Sequence, residues 1–396
     1  MPIFRRNAAR VRATSGILAA TVVAATLAAC SSGGGTPPAS ASAHLKPLRV
    51  GTSSAAVTTA STSYSVGQYL GCYQKAGYTL SVTGDSSASG LIAAMRRGDT
   101  DIGVAGSDQY LGMVQTIQKG GNDLPLKAIY EVANPFHWGL AVRPGSPITS
   151  FQQLVGKTVG LDSVASSGLA ILKALLRNNN IDPATVKTTV SGQGAASGQA
   201  LESGKVDAIF TSDTTYGTII KTGVQLRFVT INGQRPYLPV TGVLAVTSAR
   251  EYSSEPGMAK VFAKCTAEGN VFAAANPTAA AYIMLKMFPV LGSPGKPLAD
   301  QLSPIVLQIK IRDKTIDNVD PKVKPGTMRT QEFQDTMKYL LDQDPSSMDV
   351  TSVYTNAAIS PLSAAEVAAV RKQATAFQVP GLSGAVPVPT LPDNTP

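Results

Sequence analysis

The sequence predicts an α/β protein made of two similar lobes, and three observations support this. From Leu48 onwards, short β-rich runs alternate with amphipathic helical runs, which is typical of a sheet covered by helices. Two parts of the chain repeat each other at a period of roughly one hundred residues, far longer than the repeat of a solenoid. The chain has 396 residues, which exceeds the roughly 250 to 300 residues at which a single core stops growing.

The repeat consists of a serine-rich turn from strand to helix and a second turn from helix to strand. The serine-rich turns are DSSASGL at 85–91 and DSVASSGL at 162–169. The second turns are GDTD at 98–101 and GKVD at 204–207, and each leads into a strand that ends in Ser-Asp. Because both turns recur in the same order, the two lobes are predicted to be built alike.

Ten strands are predicted, in two series. The first series is 48–51, 79–83, 102–105, 126–132 and 139–142, and the second is 158–161, 185–190, 208–211, 225–231 and 243–247. Helices fit between them; Leu169, Leu172 and Leu176, for example, fall on one helical face.

The last part of the chain is predicted to contain three helices and a tail. Asn276-Pro277 is an N-cap followed by proline in the first turn, and it predicts a helix that continues through Met287. Two further helices are predicted over 331–341 and 364–377. Residues 379–396 are rich in proline and are predicted to be disordered.

The N-terminal segment is predicted to be a signal that does not belong to the fold. Four arginines precede an uncharged apolar run at 17–29, which is too short to span a bilayer comfortably. The run ends in Leu27-Ala28-Ala29-Cys30, which resembles a bacterial lipobox, in which the cysteine thiol receives a lipid. An ordinary cleaved secretory peptide is the alternative. Residues 1–29 are therefore predicted to be removed, and 30–47 to form a flexible tether between the lipid and the folded domain.

Charge and cysteine content exclude several classes of protein. The formal net charge of +9 falls by four once the signal is removed, and no basic cluster with interleaved aromatics suggests a nucleic-acid surface. Three cysteines and two histidines are too few for a four-cysteine zinc site or a histidine-rich metal site. With Cys30 assigned to lipid, Cys72 and Cys265 are predicted to form one disulfide outside the cytoplasm, and two free buried thiols are the alternative.

Candidate ligand-binding residues lie in the turns that follow the strands. Ligands of open α/β sheets bind outside the carboxyl ends of the strands, and hydroxyl groups there offer hydrogen bonds without a charge to desolvate. Helix capping and turn formation are the alternative for each serine and aspartate, and packing in the core is the alternative for Trp138. The candidates are Ser53, Ser54, Ser86, Ser87, Ser107, Asp108, Trp138, Ser166, Ser167, Gln193, Thr211 and Asp213.

Catalytic patterns are poor in this sequence. His137 is the only histidine of the predicted folded part, and no nucleophile elbow, Walker loop or zinc-protease motif accompanies it. We therefore expect a protein that is not an enzyme and that needs no cofactor or metal.

The chain resembles the extracytoplasmic substrate-binding lipoproteins of ABC importers, in the family that includes nitrate, taurine, alkanesulfonate and thiamine-pyrimidine binders. The resemblance covers about residues 48–290, and the lipobox at Cys30 supports it as well. The matching segments are Leu48–Gly51, Gly98-x-x-Asp101, Gly139–Val142, Leu154–Gly160, Leu201–Ala208 and Asn276-Pro277.

This resemblance implies a two-lobed type II periplasmic-binding-protein fold whose chain crosses between the lobes twice, near 138–144 and 240–247. Lobe one is then 48–138 plus 248–330, lobe two with its hinge strands is 139–247, and 331–378 forms C-terminal helices. Both Cys72 and Cys265 fall in lobe one. Closure of the lobes would trap the ligand.

The implied function is capture of a small polar or anionic organic solute, of the sulfonate, nitrate-like or pyrimidine class, and its delivery to an ABC permease and its ATPase. The protein is expected to be a monomer outside the cell membrane, anchored through Cys30. A surface-anchored sensor, or an enzyme on the same fold that uses His137, is the alternative.

Overall fold

A computed structural model describes residues 45–54, 57–85, 87–121, 123–133, 137–163, 167–317 and 324–396, with the side chains of 313–317 left out. The predicted signal peptide, Cys30 and most of the predicted tether lie outside the described residues. Lys46 and Pro47, which the sequence assigned to the tether, already belong to the first strand.

Ten strands are found among the described residues. They are β1 (Lys46–Thr52), β2 (Tyr78–Gly84), β3 (Ile102–Gly106), β4 (Leu126–Ala133), β5 (Trp138–Val142), β6 (Thr158–Leu161), β7 (Lys187–Val190), β8 (Ala208–Ser212), β9 (Arg227–Phe228) and β10 (Val243–Ser248). They form two five-stranded sheets, with the orders β2-β1-β3-β10-β4 and β7-β6-β8-β5-β9. Both sheets are mixed: β1 runs parallel to β2 and β3, whereas β10 runs antiparallel to β3 and β4. In the second sheet, β6 runs parallel to β7 and β8, and β5 runs antiparallel to β8.

The predicted strands are confirmed, with two shortened at their ends. β7 starts at Lys187 because Pro183–Thr185 forms a 3-10 turn, with proline at its first position and Asp182 as its cap. β9 keeps only Arg227–Phe228 of the predicted 225–231.

The assignment of β10 to the second lobe is wrong. The sequence placed it there as a hinge strand, but β10 pairs with β3 and β4 in the interior of the first sheet. Its apolar residues explain this position, because Leu244, Ala245 and Val246 are completely buried between the helices on either face of that sheet. The second crossing between the lobes therefore lies between β9 and β10.

Thirteen α-helices are found among the described residues. They are α1 (Thr62–Tyr69), α2 (Cys72–Lys75), α3 (Ala88–Arg97), α4 (Ser107–Lys119), α5 (Ser167–Asn178), α6 (Ala195–Glu202), α7 (Asp213–Lys221), α8 (Ala249–Ser254), α9 (Pro256–Ala275), α10 (Pro277–Met287), α11 (Leu298–Asp317), α12 (Thr330–Leu340) and α13 (Ala364–Ala376). The predicted start of α10 is confirmed, because the Asn276 side chain accepts a hydrogen bond from the Ala279 N–H and Pro277 is the first helical residue. Within the part of the chain that the structure describes, no helix is both long enough and apolar enough to cross a bilayer.

Helices α1 and α9 are in close backbone contact in the first lobe. A Cβ atom on Gly269 of α9 would lie 1.7 Å from the Ser63 carbonyl oxygen of α1, so only glycine permits this approach. The predicted disulfide between Cys72 and Cys265 is present and joins α2 to α9, with an S–S distance of 1.99 Å. The start of α1 is thereby fixed against α9.

Helix α11 contacts both lobes, although the sequence assigned residues 248–330 to the first lobe alone. Ile305 and Ile309 pack with α10 in the core of the first lobe, whereas Leu307 and Ile311 pack with α7 and β8 in the second. The helix can do this because its apolar residues occupy two faces rather than one.

The structure also differs from the expected disorder of residues 379–396. This segment contains neither helix nor strand, as its prolines predict, but Val386, Val388 and Leu391 are half-buried against the helices. These apolar side chains gain burial that a composition argument does not anticipate.

We predict that loss of the disulfide lowers the free energy of unfolding by about 2–5 kcal/mol, because the bond closes a long loop in the unfolded chain. The Cys72→Ala/Cys265→Ala double variant should unfold at a lower urea concentration than the oxidised protein. Reductant should shift the unfolding midpoint of the native protein and leave that of the double variant unchanged. Equal midpoints for the oxidised protein and the double variant would contradict the prediction.

Candidate functional site

The turns after β3 and after β6 bring the two lobes into direct contact. Ser167, the first residue of α5 in the second lobe, donates a hydrogen bond of 2.6 Å to Oδ1 of Asp108 in α4 of the first lobe. Burial raises the pKa of Asp108, and the hydrogen bond from Ser167 opposes that effect. Two residues that the sequence singled out in different lobes therefore meet.

Ser53 and Ser54 follow β1 on the same side of the first lobe. The Ser53 hydroxyl donates to Oε1 of Gln109 at 2.8 Å, so it is held against the start of α4. Ser54 is exposed, and its hydroxyl lies 3.3 Å from that of Thr52.

Two buried carboxylates lie at the end of β6 and β8 in the second lobe. The Thr211 hydroxyl donates a hydrogen bond to the Asp162 carboxylate, and its Oγ1 lies 2.6 Å from Oδ1 and 2.7 Å from Oδ2. Burial raises its pKa to about 6, and hydrogen bonds from Thr211 and Thr215 act in the opposite direction. Asp213 has no exposed side-chain surface, and its Oδ2 lies 2.8 Å from Nε of Arg312 on α11.

Burial also raises the pKa of Asp213, and the positive charge of Arg312 counteracts this rise. Because Arg312 is itself only 12% exposed, the two charges form a largely desolvated ion pair. The pair joins the first residue of α7 to α11, which also packs against the first lobe.

Arg312 lines a small cavity together with the start of α1. Polar groups from Thr59, Thr62, Ser63 and Asn270 share the wall with apolar groups from β4 and α11; its lining residues are Thr59, Ala60, Thr62, Ser63, Val132, Ala133, Asn270, Ala273, Ile309 and Arg312. The cavity volume is about 20 Å³, which holds one water molecule. A larger solute needs this space to widen before it can enter.

The electrostatics of this cavity suit a negatively charged group. The N-terminus of a helix carries partial positive charge, and Thr62 and Ser63 of the first turn of α1 line the cavity. Arg312 adds a positive charge, which the Asp213 carboxylate partly balances. Asn270 adds an amide that can donate or accept.

His137 lies next to the ion pair of Asp213 and Arg312, in the segment that enters β5. Its side chain is buried, and its backbone carbonyl accepts the Asp213 N–H at 2.9 Å. Burial, with a smaller effect from the charge of Arg312, holds the pKa of His137 well below its usual 6.5. The imidazole is therefore neutral and a weak proton acceptor, which counts against its use as a general base.

Several predicted site residues make contacts within the fold, and their role in binding a ligand stays a prediction. Ser87 caps α3 by accepting the Gly90 N–H at 3.1 Å, and Ser107 donates to the Thr241 carbonyl at 2.6 Å. Trp138 is half-buried and stacks on Phe210, with ring centroids 5.8 Å apart. Gln193 is exposed in a bend. Ser86 and Ser166 lie outside the described residues.

The residues that line the cavity are not among the candidates predicted from the sequence. A signal for Thr59, Thr62 and Ser63 was present, because TASTS at 59–63 is a hydroxyl-rich run before a helix. No local signal pointed to Arg312, which lies beyond the region of the resemblance and reaches the site only through the packing of α11.

Comparisons with known proteins agree with this architecture. A family model described as "NMT1/THI5 like" matches residues 58–280. The periplasmic aliphatic sulphonate binding protein SsuA from Escherichia coli superposes with a TM-score of 0.56 at 16% identity, covering 78% of this chain and 97% of that one. No curated protein matches the sequence.

Two further solved structures are similar to a comparable degree. The alkanesulfonate-binding protein SsuA from Xanthomonas axonopodis pv. citri bound to MOPS gives a TM-score of 0.54 at 17% identity, over 80% of this chain and all of that one. The ligand binding component of an ABC-type import system from Staphylococcus aureus gives 0.54 at 13% identity, over 79% of this chain and 97% of that one. The two-lobed periplasmic-binding-protein fold is therefore confirmed.

We predict that Asp162 makes the free energy of unfolding fall as the pH rises from about 4 to 6. An aspartate in the unfolded chain ionises near pH 3.9, whereas the folded-state pKa is about 6. Within this window the unfolded state alone loses its proton, so folding becomes less favourable; above pH 6 the penalty is constant. Asp162→Asn should remove about 2–3 kcal/mol of this pH dependence.

Chemical denaturation at pH 4 and at pH 7 measures the effect. The exposed Asp300→Asn variant on α11 is the matched control and should keep the native pH dependence. An Asp162→Asn protein with the same pH dependence as the native chain would show that the prediction is wrong.

Proposed function

The chain belongs to the NMT1/THI5-like family, and from this premise we propose that it captures a small organic solute with an acidic group between its lobes and delivers it to an ABC permease. The observation that carries the proposal is Arg312 of α11, which lines a cavity beside the N-terminus of α1 together with residues of the first lobe. A sulfonate or another small organic acid has the charge and the oxygen acceptors that an arginine and a helix N-terminus recognise.

The ion pair with Asp213 is compatible with this role. A guanidinium carries five N–H donors, and Asp213 contacts Arg312 through Nε. Asn270 supplies an uncharged amide at the same space, whereas the hydroxyls of Thr59 and Thr62 already donate to Oε1 of Gln308 and to the Thr59 carbonyl.

The first lobe and α11 line the proposed site, and Asp213 of the second lobe holds its arginine, so we propose that binding is coupled to closure. Thr59 and Thr62 belong to the first lobe, whereas Arg312 is held by Asp213 of the second. A solute that contacts both groups is bound more tightly by the closed form than by an open one, and it shifts the population toward closure. The permease would then recognise the closed protein.

We further propose that the protein binds and releases its solute unchanged, outside the cell membrane. The lipobox at Cys30 and the predicted tether support lipid anchoring, and the disulfide between Cys72 and Cys265 supports an oxidising compartment. The neutral, buried His137 supports binding rather than catalysis.

We predict that Arg312→Gln weakens binding of an acidic solute roughly 10- to 100-fold, the usual effect of losing a hydrogen bond to a charged group. Isothermal titration with ethanesulfonate, nitrate, a pyrimidine and an alkylamine measures the affinities. The native protein should bind one of the acidic compounds and leave the amine unbound.

Removal of Arg312 alone leaves the Asp213 carboxylate buried without its cationic partner, which destabilises the fold. The Arg312→Gln/Asp213→Asn variant avoids this because both charges are removed together. Arg97→Gln, which changes an exposed arginine paired with Asp99, controls for the loss of one positive charge. If the double variant binds as tightly as the Arg97→Gln protein, or if only the amine binds, the proposal fails.

A further inference from the structure

Residues 379–396, called the strap below, cross from one lobe to the other along α11. Val379, Leu382 and Val386 pack with the α9–α10 core of the first lobe. Val388 contacts both this core and the α7 core of the second lobe, which Leu391 also contacts. The strap therefore connects the lobes independently of the two chain crossings and of α11.

The far end of the strap is fixed to the second lobe. The Thr395 carbonyl accepts a hydrogen bond of 3.1 Å from Nη1 of Arg235, and Thr395 is only 4% exposed. Pro396 packs on β5, where a Cβ atom on Gly139 would lie 2.8 Å from its Cγ. Only glycine at position 139 leaves room for this contact.

The sequence of the strap suits a segment that binds reversibly. Val386-Pro387-Val388-Pro389 alternates half-buried valines with exposed prolines, so one edge of the extended chain packs while the other faces solvent. Proline restricts the unfolded chain and so lowers the entropy lost when the segment is ordered. Because the valines are only half-buried, the strap is held much less firmly than the core.

We propose that the strap is a latch that holds the two lobes closed and has to leave the second lobe before they can open fully. The contacts of Leu391, Thr395 and Pro396 all lie on the second lobe, whereas Val379 and Leu382 remain on the first. Separation of the lobes stretches this connection until its weakest contacts break. The latch acts whatever solute the site binds.

The first test is the distance between the lobes in the absence of added solute. Spin labels at Lys119→Cys and Lys187→Cys, both exposed and in different lobes, report this distance in a Cys30→Ser background, where the remaining cysteines are disulfide-bonded. The native strap should give one narrow distance distribution. Val388→Ser/Leu391→Ser should shift part of it to longer distances, and an unchanged distribution would overturn the proposal.

The second test uses Gly139→Ala, which pushes against Pro396 and leaves the strap sequence intact. It should lower the melting temperature in the native chain and lower it less in the Val388→Ser/Leu391→Ser chain, because the strap has left β5 in part of the molecules there. Gly145→Ala is the matched control, since a Cβ at that exposed position meets nothing within 4 Å. An equal loss in both backgrounds would mean that Gly139 does not act through the strap, and the latch would be rejected.

Discussion

A completely buried carboxylate cannot stay ionised without a cationic partner, and Asp213 finds that partner in Arg312. The pair forms where α11 packs against α7, because the apolar side chains of Leu307 and Ile311 bring the arginine to the start of that helix. The same helix packs its other face into the first lobe. The contact of α11 with the second lobe and the charge in the cavity therefore both involve this ion pair.

The first lobe supplies most of the cavity wall, and two contacts of α9 make this wall rigid. Gly269 lets α1 and α9 approach until their backbones touch, and the disulfide ties α2 to the same helix. The hydroxyl groups at the start of α1 are therefore preorganised, which lowers the cost of ordering them around a solute. In the proposed mechanism, the second lobe, which carries Asp213, closes against this wall and completes the site.

The sequence was most informative about features that arise from residues close together in the chain. Strand and helix alternation follows from side-chain periodicity, and the Asn276-Pro277 start of α10 follows from the unpaired N–H groups of a first helical turn. It was uninformative about features that depend on tertiary packing. The apolar pattern of β10 would be the same in either sheet, and Arg312 reaches its position only because α11 packs against both lobes. Residues 379–396 read as disordered from composition, yet a groove along α11 accepts their alternating valines.

Native mass spectrometry of the protein, purified without refolding, tests the central claim that the lobes hold an acidic solute at Arg312. The native chain should retain a small noncovalent adduct whose fragmentation identifies an organic acid, and the Arg312→Gln/Asp213→Asn protein, purified in parallel, should lack it. An adduct that both proteins retain equally, or one that proves to be a basic compound, would contradict the assignment of the site.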